Sequence, residues 1–143
     1  MIEGERMLIR HKDYLTFEMP NTWVIEEGNE ATSIYDNNGE GALTLSFYTI
    51  MELQNTIEEH VTIIAKEFIN QNNIKLHHSF ILDCTKKDKV VICGIGNTQD
   101  DWFIKIWVLA KYPRVVLATY ESEKKTSEVK KVDSIINSFQ FIL

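Results

Sequence analysis

The sequence predicts an α+β domain: a single α/β/α sandwich with a central antiparallel sheet of about six strands and two main helices. Three observations carry this. Short runs along most of the chain alternate apolar and polar residues, the period of half-buried strands. The period lengthens to that of a helix in two stretches, Thr56 to Asn70 and Ser127 to Ser138. The links between the strands are short, which pairs neighbours antiparallel as a meander.

Leu15-Thr16-Phe17-Glu18-Met19 is the first alternating run. Pro20 ends its ladder because proline has no amide proton to donate. Trp23-Val24-Ile25 starts a second strand, Glu26 to Glu30 is an acidic loop, and Thr32 to Tyr35 returns. Asp36-Asn37-Asn38-Gly39 is a hairpin signal, since Asn and Gly tolerate positive φ. Ala42 to Thr49 follows, with Leu43, Leu45 and Phe47 on one face and Thr44, Ser46 and Tyr48 on the other.

In the first helix Ile57, Val61, Ile64 and Phe68 form the apolar stripe. Thr56 and Glu59 make a capping box, in which the hydroxyl bonds the N3 amide. Gln71-Asn72-Asn73 ends the helix. Lys75 to Cys84, Val90 to Asn97, Trp102 to Lys111 and Val115 to Glu121 read as further strands, with turns at Lys87-Asp88 and Tyr112-Pro113-Arg114. In the second helix Val129, Val132, Ile135, Ile136 and Phe139 mark the buried face, and Phe139-Gln140-Phe141 is a brief extended tail suited to pack on the sheet. Trp23 is expected to be buried near Phe139 or Phe141, because the turn at Pro20 aims the chain back over the sheet.

The chain has 143 residues, 44% apolar and 25% charged, which suits one domain with its own core. Residues 1–7 read as an N-terminal extension, with Met7 an alternative native start, and residues 8–143 as the single domain. The polar opening Met1-Ile2-Glu3-Gly4-Glu5-Arg6 lacks the apolar core of a signal peptide. No run approaches the roughly 18 apolar residues of a membrane span. The net charge of −6 argues against a nucleic-acid surface and against docking on anionic lipid. A hairpin turning at Lys87-Asp88 sets Cys84 opposite Val91 and leaves Cys93 on a diagonal, too far for an unstrained disulfide. Two reduced thiols fit a cytoplasmic setting.

No catalytic motif stands out. Gly94-Ile95-Gly96 lacks the third glycine and the following helix of a dinucleotide fingerprint, and instead suits sheet curvature or a side chain packed close over the strand. Asp36 to Glu40 lacks the ligand spacing of a calcium loop. His77 and His78 are neighbours in an extended segment and point to opposite faces, which does not suit chelation. Cys84 and Cys93 sit in strand contexts, and the paired carboxylates Asp100-Asp101 and Glu26-Glu27 sit in turns. The expectation is therefore no catalytic residue, no metal and no cofactor.

Met19-Pro20-Asn21-Thr22-Trp23 near the start and Ile135-Ile136-Asn137-Ser138-Phe139-Gln140-Phe141 at the end, with this order of elements between them, resemble the PsbP-like superfamily. That superfamily is named for subunit P of the photosystem II extrinsic complex and includes a Ran-release factor and the DcrB-like lipoproteins. The resemblance covers Leu8 to Phe141. It implies a central antiparallel sheet with helices on both faces, and a bacterial member of a group that mostly binds proteins or serves in assembly. No motif carries over from the Ran-binding or photosystem members.

The functional expectation is a non-enzymatic interaction or assembly factor with a protein partner or a second copy as its target, and no nucleic acid or membrane. The alternative is a small-ligand domain with a pocket between sheet and helix. For a binding surface the strand Trp102 to Lys111 gives the sharpest candidate. Trp102, Ile104, Ile106, Val108 and Ala110 form one wholly apolar face. The other face carries Phe103 and Trp107 with Lys105 and Lys111 as a charged rim, a composition suited to an exposed contact if two helices leave it uncovered; the other reading is that the second helix covers both aromatics and the lysines snorkel to its edge.

Overall fold

The computed structural model describes residues 5–53, 55–83 and 89–142. β1 (Arg6–His11) and β2 (Leu15–Pro20) form a hairpin. β3 (Trp23–Glu27), β4 (Thr32–Asp36) and β5 (Gly41–Thr49) follow as a meander. α1 (Ile57–Gln71) leads to two short pieces, β6 (Lys75–Leu76) and β7 (Ile81–Asp83). β8 (Val90–Asn97), β9 (Phe103–Lys111) and β10 (Arg114–Ser122) complete the large sheet. α2 (Glu128–Asn137) and β11 (Gln140–Phe141) close the described chain.

The large sheet has eight strands in the order β3-β4-β5-β10-β9-β8-β6, with β7 also on β8. A second sheet, β1-β2-β11, has three. The expected sheet of about six strands is thus too small. Two features add strands that the sequence does not mark. Lys75 to Asp83 is not one strand, because its register against β8 shifts by two residues between Leu76↔Gly96 and Ile81↔Cys93. The break falls where Phe80 lies over Gly94, whose added Cβ would stand 2.6 Å from that ring. This is the close packing that the Gly-x-Gly suggested. β1 carries no alternating signal, since Leu8 is 70% exposed and His11 is the strand's buried residue. Its start at Arg6 takes Arg6 and Met7 into the sheet.

α1 starts and stops for local reasons. Thr56 caps α1, its hydroxyl accepting from the Glu59 amide at 3.2 Å. At the other end Asn73 takes φ 54°, and the Ile74 amide bonds the Ile69 carbonyl at 3.0 Å, the bond of a left-handed C-terminal cap. The Asp36–Gly39 turn forms as expected but without positive φ. Asp36 holds it instead, its carboxylate accepting from the Asn38 amide at 3.1 Å and its carbonyl from the Gly39 amide at 2.8 Å.

The sheet separates two cores. Val61 and Ala65 of α1 pack on Ile92, Ile104, Ile106, Val108, Ala110, Val115 and Leu117. On the opposite face Val129, Val132, Ile135 and Ile136 of α2 join Phe139 and the Leu15, Phe17 and Met19 of β2. Trp23 is buried in that core, 5% exposed, as expected. The ring that meets Phe139 is Phe17, at 5.3 Å between centroids. The tail packs on β2 through Gln140↔Thr16 and Phe141↔Leu15.

Two expectations for the strand Trp102 to Lys111 need correction. Trp102 precedes β9 and is 44% exposed, so it is no part of the apolar face under α1. Phe103 and Trp107 are not an exposed patch, being 4% exposed each within the α2 core. Lys105 turns to α2, its Nζ 2.7 Å from Asp133 Oδ1 and 5.3 Å from the Trp107 ring centroid, and Lys111 is half-buried at the strand end. The physical reason is the extra layer: α2 and the β1-β2-β11 sheet together cover the face that α2 alone would leave partly open.

The hairpin into β8 also differs from expectation. Asp83, not Cys84, stands opposite Val91, and Ile81 stands opposite Cys93. Cys84 and the turn Lys87-Asp88 lie outside the described residues. Cys93 is a free, half-buried thiol whose pKa burial pushes up, the opposite of a reactive cysteine.

Candidate functional site: an open half-face of the sheet

α1 sits over β8 and β9 and reaches β10, and no residue of β3, β4 or β5 belongs to the core beneath it. The α1 side of the sheet is therefore covered on one half and open on the other. Register fixes which side chains form the open floor. Tyr48, Ser46, Thr44 and Ala42 of β5 stand opposite Val115, Leu117, Thr119 and Glu121 of β10. Ser33 and Tyr35 of β4 extend this face, with Val24 and Glu26 of β3 at the edge. Of the β5 residues, Thr44, Ser46 and Tyr48 are those that alternation set on the strand's polar face.

The floor has a groove at one end and a recess at the other. The groove, about 410 Å³, runs between the floor at Tyr48, Val115 and Leu117 and the α1 wall at His60, Ile64 and Phe68. The recess, about 470 Å³, is lined among others by Tyr35, Thr44, Trp102 and Glu121. Asp36, Glu40, Glu67 and Glu121 are among the residues that line these two spaces, and among the described residues neither lining includes a lysine or arginine. Lys124 lines a separate recess with Glu40 and Glu123. The Tyr35 hydroxyl donates to the Glu26 carboxylate, a contact that with burial raises the phenol pKa. Burial likewise raises the Glu121 carboxyl.

Aromatic and aliphatic groups stand out at the groove end. Tyr48 is 47% exposed, Met51 88% and Tyr112 48%. The Ile50 amide donates to the Pro113 carbonyl at 2.6 Å, so the loop after β5 and the turn between β9 and β10 lie together.

Among the described residues no three His, Cys, Asp or Glu side chains gather where they could hold a metal. His77 meets Asn97 instead. Among the described residues no helix is long and apolar enough to cross a membrane. Of the residues forming this open half-face, the sequence separated Thr44, Ser46 and Tyr48 as one strand face but gave no sign that α1 would leave it bare.

These features define a class: an antiparallel α+β sandwich with one half of a sheet face exposed. Comparison with solved structures narrows it. The chain is similar to cyanobacterial PsbP, CyanoP, from Synechocystis sp. PCC 6803, with a TM-score of 0.71 and 16% identity over 99% of this chain and 94% of that one. It is similar to the Ran-binding protein Mog1p of Saccharomyces cerevisiae, with a TM-score of 0.63 and 6% identity over 97% and 96% of the two chains. A protein of Bacteroides thetaiotaomicron matches with a TM-score of 0.55 and 11% identity, over 98% of this chain and 49% of its own length. No family model and no curated sequence matches. The chain has the PsbP-like fold, and at these identities the likeness is one of fold.

Proposed function

We propose that this chain is a non-catalytic interaction domain, an assembly or accessory factor that docks a protein partner on the open half-face. One observation carries the reading: α1 covers β8 and β9 and leaves the ordered floor of β3, β4 and β5 free. Rigid strands present that floor, and the exposed Tyr48, Met51 and Tyr112 at its end are side chains of the kind that anchor interfaces. The Ran-binding title of Mog1p agrees with a protein-binding use of this fold, as an analogy only. A cytoplasmic setting belongs to the same proposal and is supported by the free thiol of Cys93.

The test is Ser46→Arg, which places a long charged group in the middle of the floor. Partners captured from the native host with the parent chain should be lost with this variant, at an unchanged melting temperature. Equal capture by both would overturn the proposal, and so would a variant that loses only self-association.

A second reading has its own observation, the groove between Tyr48 and the α1 residues His60, Ile64 and Phe68. Its size is within the range of small-molecule sites. A ligand specific to that groove would raise the melting temperature by mass action, and Ile64→Trp would remove the shift.

A further inference from the structure

The recess at the far end of the open half-face has a distinct chemistry. Trp23 and Trp107 are 5% and 4% exposed, whereas Trp102 is 44% exposed. It is held in place from both sides: the Trp102 amide donates to Thr98 Oγ1 at 3.1 Å, and its carbonyl accepts from the Thr98 amide at 2.9 Å. Trp102 and Tyr35 share the recess with the acidic residues Glu40 and Glu121, and the backbone turn at Asp36 borders it. No lysine or arginine lines it, and Glu121 makes no ion pair among the described residues.

We propose that this recess receives an arginine side chain from a basic segment of the partner; this rests on the interaction reading above and names its chemistry. A guanidinium is planar and weakly hydrated, so it stacks on an indole face while donating from its edge to carboxylates. An acidic partner is excluded by like charge, and a purely apolar one would leave Glu121 partly desolvated without compensation. Burial raises the Glu121 carboxyl above its ordinary value, and an incoming cation favours its charged form. The groove beyond the floor adds Glu67 and, among the described residues, still no lysine or arginine, so the attraction extends along the face.

The probe is a peptide of alternating glycine and arginine, with a citrulline version that keeps the planar group and removes the charge. Each is titrated into the full chain and followed by amide and indole resonances. The arginine peptide should shift the Trp102 indole N–H and the backbone amides of Thr44 and Glu121, and lose affinity as salt rises. Trp102→Ala and Glu121→Gln should each weaken binding roughly fivefold, with unchanged melting temperatures because both side chains are at the surface. Glu121→Gln alone decides the matter if Trp102→Ala does not fold. The proposal is overturned if the citrulline peptide binds equally, if shifts fall outside the recess, or if Glu121→Gln leaves affinity unchanged. Should the recess stay silent while Ser46→Arg still abolishes partner capture, the interaction reading stands and the arginine site falls.

Discussion

The Tyr120 hydroxyl donates to Glu128 Oε1 at 2.8 Å, joining β10 to the first turn of α2. The same carboxylate accepts from the Gly41 amide at 3.1 Å and from the Glu40 amide at 3.4 Å. A Cβ on Gly39 would stand 2.2 Å from Glu128 Oε2, so this glycine makes room for the carboxylate. One acidic side chain thus fixes the β4–β5 turn, the central strand β10 and α2 together.

Glu128→Ala should cost about 1–3 kcal/mol, because it leaves the fully buried Tyr120 hydroxyl without its acceptor. Glu128→Gln, which keeps an amide oxygen there, should cost less. Tyr120→Phe combined with Glu128→Ala should cost less than the sum of the single changes in urea denaturation. Burial and then the Glu128 contact push the Tyr120 pKa from 10.0 to about 12. The folded state therefore holds this proton more tightly than the unfolded state. Its stabilising contribution is complete below pH 10.0 and falls as pH rises from 10.0 to about 12. A Tyr120→Phe variant should lack that alkaline loss.

His11 gives the opposite limb. It is 3% exposed, stacks on Phe47 at 4.7 Å between centroids, and has Nδ1 3.4 Å from Glu27 Oε1. Desolvation lowers its pKa below the ordinary 6.5, against the pull of Glu27. The unfolded chain then takes up a proton first as pH falls, so stability should decline as pH drops through and below 6.5. His11→Phe keeps an aromatic ring on Phe47 and should flatten that part of the stability–pH curve measured by urea denaturation.

Thr56→Ala should lower stability by about 1 kcal/mol, the usual loss for an N-cap hydroxyl. Its readout is the denaturation midpoint. Thr56→Ser should recover most of the loss, because the acceptor for the Glu59 amide is kept.

Trp107→Ala should cost roughly 3–5 kcal/mol and should not alter the partner surface, since the side chain lies in the α2 core rather than on an exposed face. A protein that keeps its stability but loses binding would reverse this assignment. Urea denaturation and partner capture measured on the same variant separate the two.

The sequence by itself determined the elements whose causes are local. Alternation fixed the faces of β2, β5 and β9 because a pleated strand has a period of two whatever packs on it. The Thr56 cap and the 3.6-residue stripes fixed α1 and α2 because those signals lie within a few residues of what they control. Tertiary structure alone decided which faces were covered. Trp107 is buried in a core shared with α2 and β2, and the small sheet that holds β2 joins residues near opposite ends of the chain, Leu15 with Phe141. Trp102 is exposed because the chain turns at Asp101, with φ 65°, and Trp102 falls just outside the strand. The open floor at Thr44 and Ser46 exists because α1 settles over β8 and β9. Cover of this kind is a long-range property, set by where a helix lands on a sheet, and a strand's own pattern records only that one side is more polar than the other.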